Sequence, residues 1–230
     1  MITTPGAALL FDIDGTLADT DPLHLEAFNR AFAPFGEVFD RARFSSQLQG
    51  LANIDIARTI LPQLSPEEGM AVLDHKEAVF RDLAANEIHA VPGLFALLDA
   101  ADAAGLAMAA VTNAPRANAE LILTGLGITH RFGALVIGAE LAHGKPHPMP
   151  YLEGLRLLGA SADHSVAFED SRTGIMSARA AGLATVGIRT SLGDPALRAA
   201  GAVLTAGSYA DPDLLAFIAH TIAGKAELAQ

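Results

Sequence analysis

The pattern of hydrophobic and polar positions changes character twice along the chain. A short apolar run, AALLF from Ala7 to Phe11, stops abruptly at charged residues and is typical of a buried strand. From residue 21 to about Asn86, apolar residues recur at helical spacing and no segment has strand character. Beyond residue 88, short apolar runs alternate with helical segments. The pattern therefore predicts one isolated strand, a helical stretch, and then a series of strand and helix pairs.

The alternating part of the chain predicts a parallel sheet with helices on both faces. We therefore expect an α/β fold whose core is a doubly wound, mainly parallel Rossmann-like sheet. The first strand is separated from its partners by about 70 residues, which is too long for an ordinary loop. An all-helical cap domain is predicted at 19–86, inserted into a core of 1–18 plus 87–230. The expected later strands are 106–111, 134–137, 165–168, 184–188 and 202–204.

Two carboxylates end the first strand. Asp12 and Asp14 stand two positions apart, so both should project to one side beyond the carboxyl edge of the sheet, where open α/β sheets bind ligands. Like charges so close raise each other's pKa unless a cation lies between them, so a metal ion is expected. Turn formation and helix capping by Thr16 explain the residue types but not the paired acids. An EF-hand is excluded, because its fifth and sixth loop positions hold Thr16 and Leu17.

Polar residues also follow later predicted strands. Thr112 and Asn113 precede a helix, where a hydroxyl and backbone N–H groups can hold phosphate oxygens, although Thr112 is equally explained as a cap of that helix. Lys145 lies in a loop with three prolines, which favour a fixed position over a solvated one. Glu169 and Asp170 end another strand. Together with the first two acids, they would overload one pocket with negative charge in the absence of a cation.

Two other ligand sites are excluded by the residues around Lys145. A phosphate-binding P-loop requires glycine at position 139 and Ser or Thr after the lysine, but Ala139 and Pro146 stand there. His143 and His147 have the spacing of a zinc pair, yet only a helix would place them on one face, and the prolines prevent a helix. We treat both histidines as loop residues.

The segment DIDGT, which begins at Asp12, resembles the first motif of the haloacid dehalogenase (HAD) superfamily, DxDGT after a buried strand. The strand that ends at Thr112, the KPxP segment at Lys145 and the pair Glu169 and Asp170 resemble the second, third and fourth motifs, in the same order. The helical insertion after the first motif resembles the branch that contains phosphoglycolate phosphatases and β-phosphoglucomutase. The resemblance spans the whole chain and implies phosphoryl chemistry.

The resemblance also implies roles for these residues. Asp12 would be the nucleophile that takes the phosphoryl group, Asp14 the general acid and base, and Lys145 a contact of both the nucleophile and the phosphoryl group. The implied cofactor is Mg²⁺, which prefers oxygen ligands. Asp12, the backbone carbonyl of Asp14 and Asp170 would bind it directly, and Glu169 directly or through water. The remaining candidates are Thr112 for catalysis and Gly15, Asn113, His24, Asn53 and Lys76 for substrate binding.

The predicted function is Mg²⁺-dependent hydrolysis of a small phosphomonoester, phosphoglycolate-like or sugar-phosphate-like, through an aspartyl phosphate. A β-phosphoglucomutase-like sugar phosphomutase is an alternative, and it needs cations in the cap to hold a second phosphate. Asn53 stands where that mutase has an arginine, whereas His24 and Lys76 match positions that the mutase also uses. His24 is equally explained as a buried helix histidine, and Lys76 as a solvated charge.

A second alternative is a catalytically idle ligand-binding protein, because fold does not determine function. The intact set of motif residues argues against it. Haloacid dehalogenation itself is disfavoured, because the dehalogenases of this superfamily lack the second acid of the first motif, and Asp14 is present here.

Composition and charge narrow the range of partners. The 230 residues carry a net charge of −11 and include no cysteine. Such a chain lacks the basic face of a nucleic-acid binder, and it has no disulfide or thiolate metal site. No apolar run approaches the roughly 18 residues of a membrane span, and the N-terminal segment lacks the basic start of a signal peptide. We expect a cytoplasmic monomer or homodimer that binds a small phosphorylated metabolite.

Overall fold

A six-stranded parallel sheet forms the core of the protein. The computed structural model describes residues 6–223, so the predicted core residues 1–5 and 224–230 lie outside the described part. The strand order is β3-β2-β1-β4-β5-β6, with β1 in the interior and helices on both faces. The predicted α/β fold is confirmed. The strands are β1 (Ala8–Phe11), β2 (Ala107–Thr112), β3 (Ala134–Ile137), β4 (Ser165–Glu169), β5 (Ala184–Ile188) and β6 (Leu204–Ala206).

The helices of the described residues divide into those that follow β1 and those that alternate with later strands. The first group is α1 (Asp21–Phe32), α2 (Arg41–Gln47), α3 (Asn53–Ile60) and α4 (Pro66–Ala84). The second group is α5 (Leu94–Ala103), α6 (Arg116–Gly125), α7 (Met149–Leu158), α8 (Arg172–Ala180), α9 (Asp194–Ala200) and α10 (Pro212–Ala223).

The last strand begins two residues later than predicted. Residue Ala202 was expected to start it, but its N–H donates to Leu197 O at 3.0 Å and so belongs to the end of α9. Gly201, with a φ of 115°, terminates that helix in the left-handed region, which favours glycine. The apolar run AAGAVL therefore completes a helix before it enters the sheet.

The register of the sheet brings the polar strand ends together. Phe11 pairs with Ala110 on β2 and with Phe168 on β4, and the two phenylalanine rings stack with centroids 4.6 Å apart. The residue after Phe11 is Asp12, whose N–H donates to Phe168 O at 3.0 Å. Asp12 therefore lies beside the end of β4, where Glu169 stands, as parallel register requires.

The helical segment after β1 has an apolar cluster of its own. Phe28, Phe32, Phe44 and Leu73 belong to this buried cluster. Helix α4 begins with a capping box, because Ser65 Oγ accepts from the Glu68 N–H and the Glu68 carboxylate accepts from the Ser65 N–H. We call the segment from α1 to α4 the cap. The exact domain boundaries at 19–86 stay a prediction.

Two connections join the cap to the core, and they run side by side. The Asp19 N–H donates to His89 O at 3.3 Å, and the Val91 N–H donates to Leu17 O at 3.0 Å. On the cap, Phe80 and Ala27 also belong to the apolar cluster of the core. The cap is thus packed on the sheet at its base. No helix within residues 6–223 combines the length and apolar character that are needed to span a bilayer.

Candidate active site

Lys145 joins two strand ends at the carboxyl edge of the sheet. Its Nζ lies 2.6 Å from Asp12 Oδ1, 2.6 Å from Glu169 Oε1 and 2.8 Å from Val111 O. Asn113 fixes the loop that carries it: the Lys145 N–H donates to Asn113 Oδ1, and the Asn113 amide donates to Lys145 O. Burial alone would lower the pKa of the lysine, but the two carboxylates outweigh burial and raise it. Lys145 is therefore an ammonium ion.

One lysine does not balance the acids around it. Asp12, Glu169 and Asp170 are buried and offer carboxylate oxygens within 4.8 Å of one another. Burial, followed by the charge of Glu169, raises the pKa of Asp12 to about 8 against the opposing effect of Lys145. Burial and the charges of Asp21, Asp12 and Glu169 raise the pKa of Asp170 well above its ordinary value.

These pKa shifts test whether the cluster fits a metal ion. Carboxylates that repel one another in a buried site are stabilised by a cation among them. The donor atoms of the cluster are all oxygens, which suit a hard divalent ion such as Mg²⁺. The residues present therefore fit a divalent metal site. The carboxylate of Asp14 is not part of this group, and its predicted role as a metal ligand was through the backbone carbonyl.

Several residues that support the cluster were not predicted from the sequence. Tyr151 OH donates to Glu169 Oε1 at 2.7 Å from the first turn of α7. Ser191, in the loop after β5, donates to Asp170 Oδ2 at 2.6 Å, and the Gln49 amide donates to the same oxygen at 2.9 Å. The available signal was their position in the sequence. Tyr151 is the third residue after the KPxP segment, Ser191 follows the end of β5, and Gln49 directly precedes Gly50 in the cap loop. The cap contributes Gln49, so it closes over the cluster.

The carboxylate of Asp14 points toward the cap instead. Its Oδ1 accepts from Thr20 Oγ1 at 2.8 Å and lies 2.9 Å from His24 Nε2. Burial alone would raise the pKa of Asp14, but His24 and the Thr20 hydroxyl outweigh burial and lower it. Asp12 and Asp14 thus look alike in the sequence, but their pKa values shift in opposite directions in the structure.

His24 connects Asp14 to a buried network on the cap. Lys76 Nζ lies 2.9 Å from His24 Nδ1 and 3.1 Å from both carboxylate oxygens of Glu77. Lys76 is only 3% exposed, so its interpretation as a solvated charge is wrong. The amide of Asn53 donates to Glu77 Oε1 at 2.9 Å. Three residues far apart in the sequence thus meet on the cap side of the site, and Glu77 was not predicted.

The other sequence candidates have structural roles that the geometry makes visible. Thr112 Oγ1 accepts from the Ala114 N–H at 3.0 Å in the turn before α6, and it does not cap that helix, whose N-cap residue is Pro115. Gly15 has a φ of 71°, and a side chain there would collide with the Asp170 carboxylate. Thr112 also lines the cavity described next, whereas Gly15 does not. Their predicted roles toward substrate stay predictions.

A cavity of about 90 Å³ lies between cap and core. The core side includes Asp12, Asp14 and Lys145, and the cap side includes Lys76 and Glu77. The loop at Gly50 forms one wall of the cavity, and it is attached to the core because Gly50 O accepts from the hydroxyl of Thr173 at 2.8 Å and from the amide of Asn113 at 3.3 Å. The cap thus covers part of the cavity, and partial exclusion of water strengthens electrostatic interactions within the site.

Comparison with known proteins identifies the family. The family model described as haloacid dehalogenase-like hydrolase matches residues 9–188. CbbY from Rhodobacter capsulatus is 35% identical over 202 residues, which span 78% of this chain and 83% of that protein. A phosphoglycolate phosphatase from Colwellia psychrerythraea is 33% identical over 198 residues, which span 78% of this chain and 83% of that protein.

A solved structure agrees with these sequence matches. A variant of CbbY from Rhodobacter sphaeroides, crystallised with xylulose-(1,5)bisphosphate, superposes with a TM-score of 0.77 at 29% identity. The alignment covers 90% of this chain and 95% of that one. The chain therefore belongs to the haloacid dehalogenase-like hydrolase family. The predicted branch of the family and the predicted enzyme class, a phosphomonoester hydrolase, are confirmed.

Proposed function

We propose that this protein is a Mg²⁺-dependent phosphatase that acts on a small phosphomonoester through an aspartyl phosphate at Asp12. The observation that carries the proposal is the setting of this carboxylate. It is held by Lys145 at 2.6 Å, stands in the acidic cluster, and lines the covered cavity. A carboxylate fixed in this way can attack phosphorus in line while the leaving oxygen faces the cap.

The acidic cluster would hold the magnesium ion. Asp12, Glu169 and Asp170 would supply side-chain oxygens, and Asp14 its predicted backbone carbonyl. When bound, the ion would offset the negative charge that gathers on the phosphoryl oxygens. Besides the ion, the ammonium group of Lys145 would also offset this negative charge, since it contacts both Asp12 and Glu169.

Asp14 would move the protons of both steps. Its lowered pKa favours the carboxylate, the form that activates water to cleave the aspartyl phosphate. A phosphorylated substrate brings further negative charge into the cavity, which raises the pKa of Asp14 toward the protonated form. That form donates a proton to the leaving oxygen in the first step. His24 and Thr20 hold the side chain in place for both.

A sugar phosphomutase is the second candidate. The observation in its favour is that His24 and Lys76, which match positions used by β-phosphoglucomutase, meet in one hydrogen-bonded chain that reaches Asp14. Against it, Asn53 faces the cavity where the mutase would have a cation. The substrate class that we propose is phosphoglycolate-like or sugar-phosphate-like, as in the relatives named above.

The test is ³¹P NMR of the purified protein with phosphoglycolate, hexose 6-phosphates and β-glucose 1-phosphate. We expect inorganic phosphate to grow at the expense of one component when Mg²⁺ is present and not when a chelator is added. A new ester signal with little free phosphate would identify a mutase instead. If no signal changed with any divalent metal, the catalytic proposal would fail.

A further inference from the structure

We propose that Glu77 restricts the substrate to one phosphate group, because it neutralises Lys76 on the cap side of the cavity. The substrate would then be a monophosphate ester whose remaining part carries no net charge. This favours the sugar-phosphate-like members of the proposed substrate class over the phosphoglycolate-like ones, whose carboxylate is charged. This inference rests on the proposed phosphatase function and deepens it. Glu77 acts through Lys76 and Asn53, so it is a residue that sets specificity and takes no part in the chemistry.

The cations that line the cavity lie on two sides of it. Within residues 6–223, the basic side chains that line it are His24, Lys76 and Lys145. Lys145 is bound to Asp12 and Glu169 on the core side, beside the proposed site of phosphoryl transfer. A second phosphate would lie toward the cap. There both ring nitrogens of His24 are engaged, by Asp14 and by Lys76, so the second phosphate would depend on Lys76.

Lys76 is already neutralised by the carboxylate of Glu77. Its Nζ lies 3.1 Å from each carboxylate oxygen of Glu77 and 4.3 Å from the centre of the Phe28 ring. The carboxylate is held for this purpose from two further sides, since Asn53 and Asn118 donate amide hydrogens to it at 2.9 and 2.7 Å. Glu77 is only 4% exposed and cannot swing into solvent without breaking these bonds.

The pair formed by Lys76 and Glu77 has no net positive charge. Burial alone would raise the pKa of Glu77, but Lys76 and the groups around it outweigh burial and lower it, so Glu77 is a carboxylate. Burial lowers the pKa of Lys76 against the opposing effect of Glu77. With Lys76 protonated the pair is neutral, and with Lys76 deprotonated it is negative. In neither state does the pair attract a second phosphate.

The remaining surface on the cap side of the cavity is largely apolar. It consists mainly of Phe28, Phe44, Leu48, Leu51 and Ile56. Transfer of a doubly charged phosphate to such a surface without a cation is costly. Asn53 offers an amide, which suits a hydroxyl or carbonyl group. The cap side is therefore built for an uncharged polar substituent.

The experiment compares matched substrates that differ by one phosphate, with Mg²⁺ present. The pairs are fructose 1-phosphate with fructose 1,6-bisphosphate, and ribulose 5-phosphate with ribulose 1,5-bisphosphate. For each pair we measure the ratio of kcat/KM for the monophosphate to that for the bisphosphate. The wild type should favour the monophosphate, and Glu77→Gln should lower the ratio roughly tenfold, as expected for removing one charge near the second phosphate. Glutamine is isosteric, and its one carbonyl oxygen keeps an acceptor for one of the two amides, which donate to different oxygens of Glu77.

Two further variants make the comparison specific. Glu67→Gln removes the same charge from an exposed position at the start of the same helix, and it should leave the ratio unchanged. Asn53→Lys adds a cation beside Glu77 and should lower the ratio as Glu77→Gln does, which provides a test if Glu77→Gln fails to fold. Circular dichroism and thermal melting establish that each variant is folded.

The outcomes separate this inference from the proposed function. Phosphate release from monophosphates with an unchanged ratio in Glu77→Gln and Asn53→Lys would overturn the role of Glu77 and leave the phosphatase intact. Equal losses on both members of a pair would show a purely structural role and would also overturn it. Absence of phosphate release from every substrate would instead count against the phosphatase.

Discussion

Two buried lysines line the same cavity from opposite sides, and their surroundings differ in charge balance. Lys145, on the core side, contacts two carboxylates, and these raise its pKa in spite of burial. Lys76, on the cap side, contacts one, and burial outweighs Glu77 and lowers its pKa. The core side thus has an excess of negative charge that a metal ion would offset. On the cap side, the charges of Lys76 and Glu77 cancel.

This difference in charge suits the two sides of the cavity to different functions. The acidic cluster on the core side has an excess of negative charge and therefore attracts cations, which phosphoryl chemistry requires. The ion pair of Lys76 and Glu77 is neutral, and Glu77 also accepts hydrogen bonds from two amides. Such a pair neither attracts nor repels a neutral ligand, and its side chains determine the shape of the cavity. The comparison teaches that two lysines with nearly equal burial cannot be assigned functions until the acids around each are counted.

The largest expected effect comes from removing the proposed nucleophile on the core side. Asp12→Asn should lower kcat for an aryl phosphate by about 10⁴-fold or more, because it removes the carboxylate that is proposed to form the covalent intermediate. Phosphate release under Mg²⁺ saturation measures it. Asp74→Asn, at an exposed position on α4, is the matched control and should retain activity. A fully active Asp12→Asn would show that the chemistry lies elsewhere.

The two lysines can be compared directly by the same substitution. Lys145→Met should lower kcat by about 10² to 10³-fold, because it removes positive charge next to the reacting carboxylate. Lys76→Met should cost less activity on a small aryl phosphate but lower the free energy of unfolding by about 3 kcal/mol, because Glu77 is left buried without its cation. Rate measurements and urea denaturation test both. A larger loss of kcat in Lys76→Met than in Lys145→Met would contradict the proposal that Lys145 acts in catalysis and Lys76 does not.

A smaller effect is expected from a residue that supports Asp170 in the acidic cluster. Ser191→Ala removes the hydroxyl that lies 2.6 Å from Asp170 Oδ2 and 2.5 Å from Asp21 Oδ2. The Mg²⁺ concentration for half-maximal activity should rise about tenfold, with kcat at saturating Mg²⁺ nearly unchanged, since groups behind a metal ligand tune affinity. Magnesium titrations of activity measure the shift. Ser46→Ala, on an exposed part of the cap, should show none.

The smallest effect is the pH dependence of the cap network. Because the pKa of Glu77 is lower in the folded protein than its ordinary 4.5, its contribution is present above that pH and is lost as the pH falls through the folded pKa. Each unit of pKa difference is worth about 1.4 kcal/mol. The excess stability of wild type over Glu77→Gln, measured by urea denaturation, should therefore narrow at strongly acidic pH. An excess that grew with acidity would contradict this sign.

The fold was largely predictable because its signals are local. Apolar runs of strand length, alternation with helices, and the capping box at Ser65 can all be recognised within a few residues. Near the C-terminal end the prediction was weaker. AAGAVL can end a helix or begin a strand, and the contact between Ala202 and Leu197 that decides it comes from packing.

The core of the candidate site was equally readable, because parallel strands that end in Asp12, Thr112 and Glu169 must meet at one edge. The sequence by itself thus determined a phosphoryl-transfer scaffold with an oxygen-rich edge and a helical insertion. It could not distinguish a solvated Lys76 from a buried one, since adjacent Lys and Glu occur on many exposed helices.

Only the tertiary structure decided what lies opposite the acidic edge. Helix α4 turns Lys76 and Glu77 inward, and α1 and α3 bring His24 and Asn53 to them from residues far away in the chain. Whether a charge is balanced depends on every neighbour within a few ångströms, and burial then multiplies its effect through the lower dielectric constant. Such neighbours are set by long-range packing, which no local pattern records.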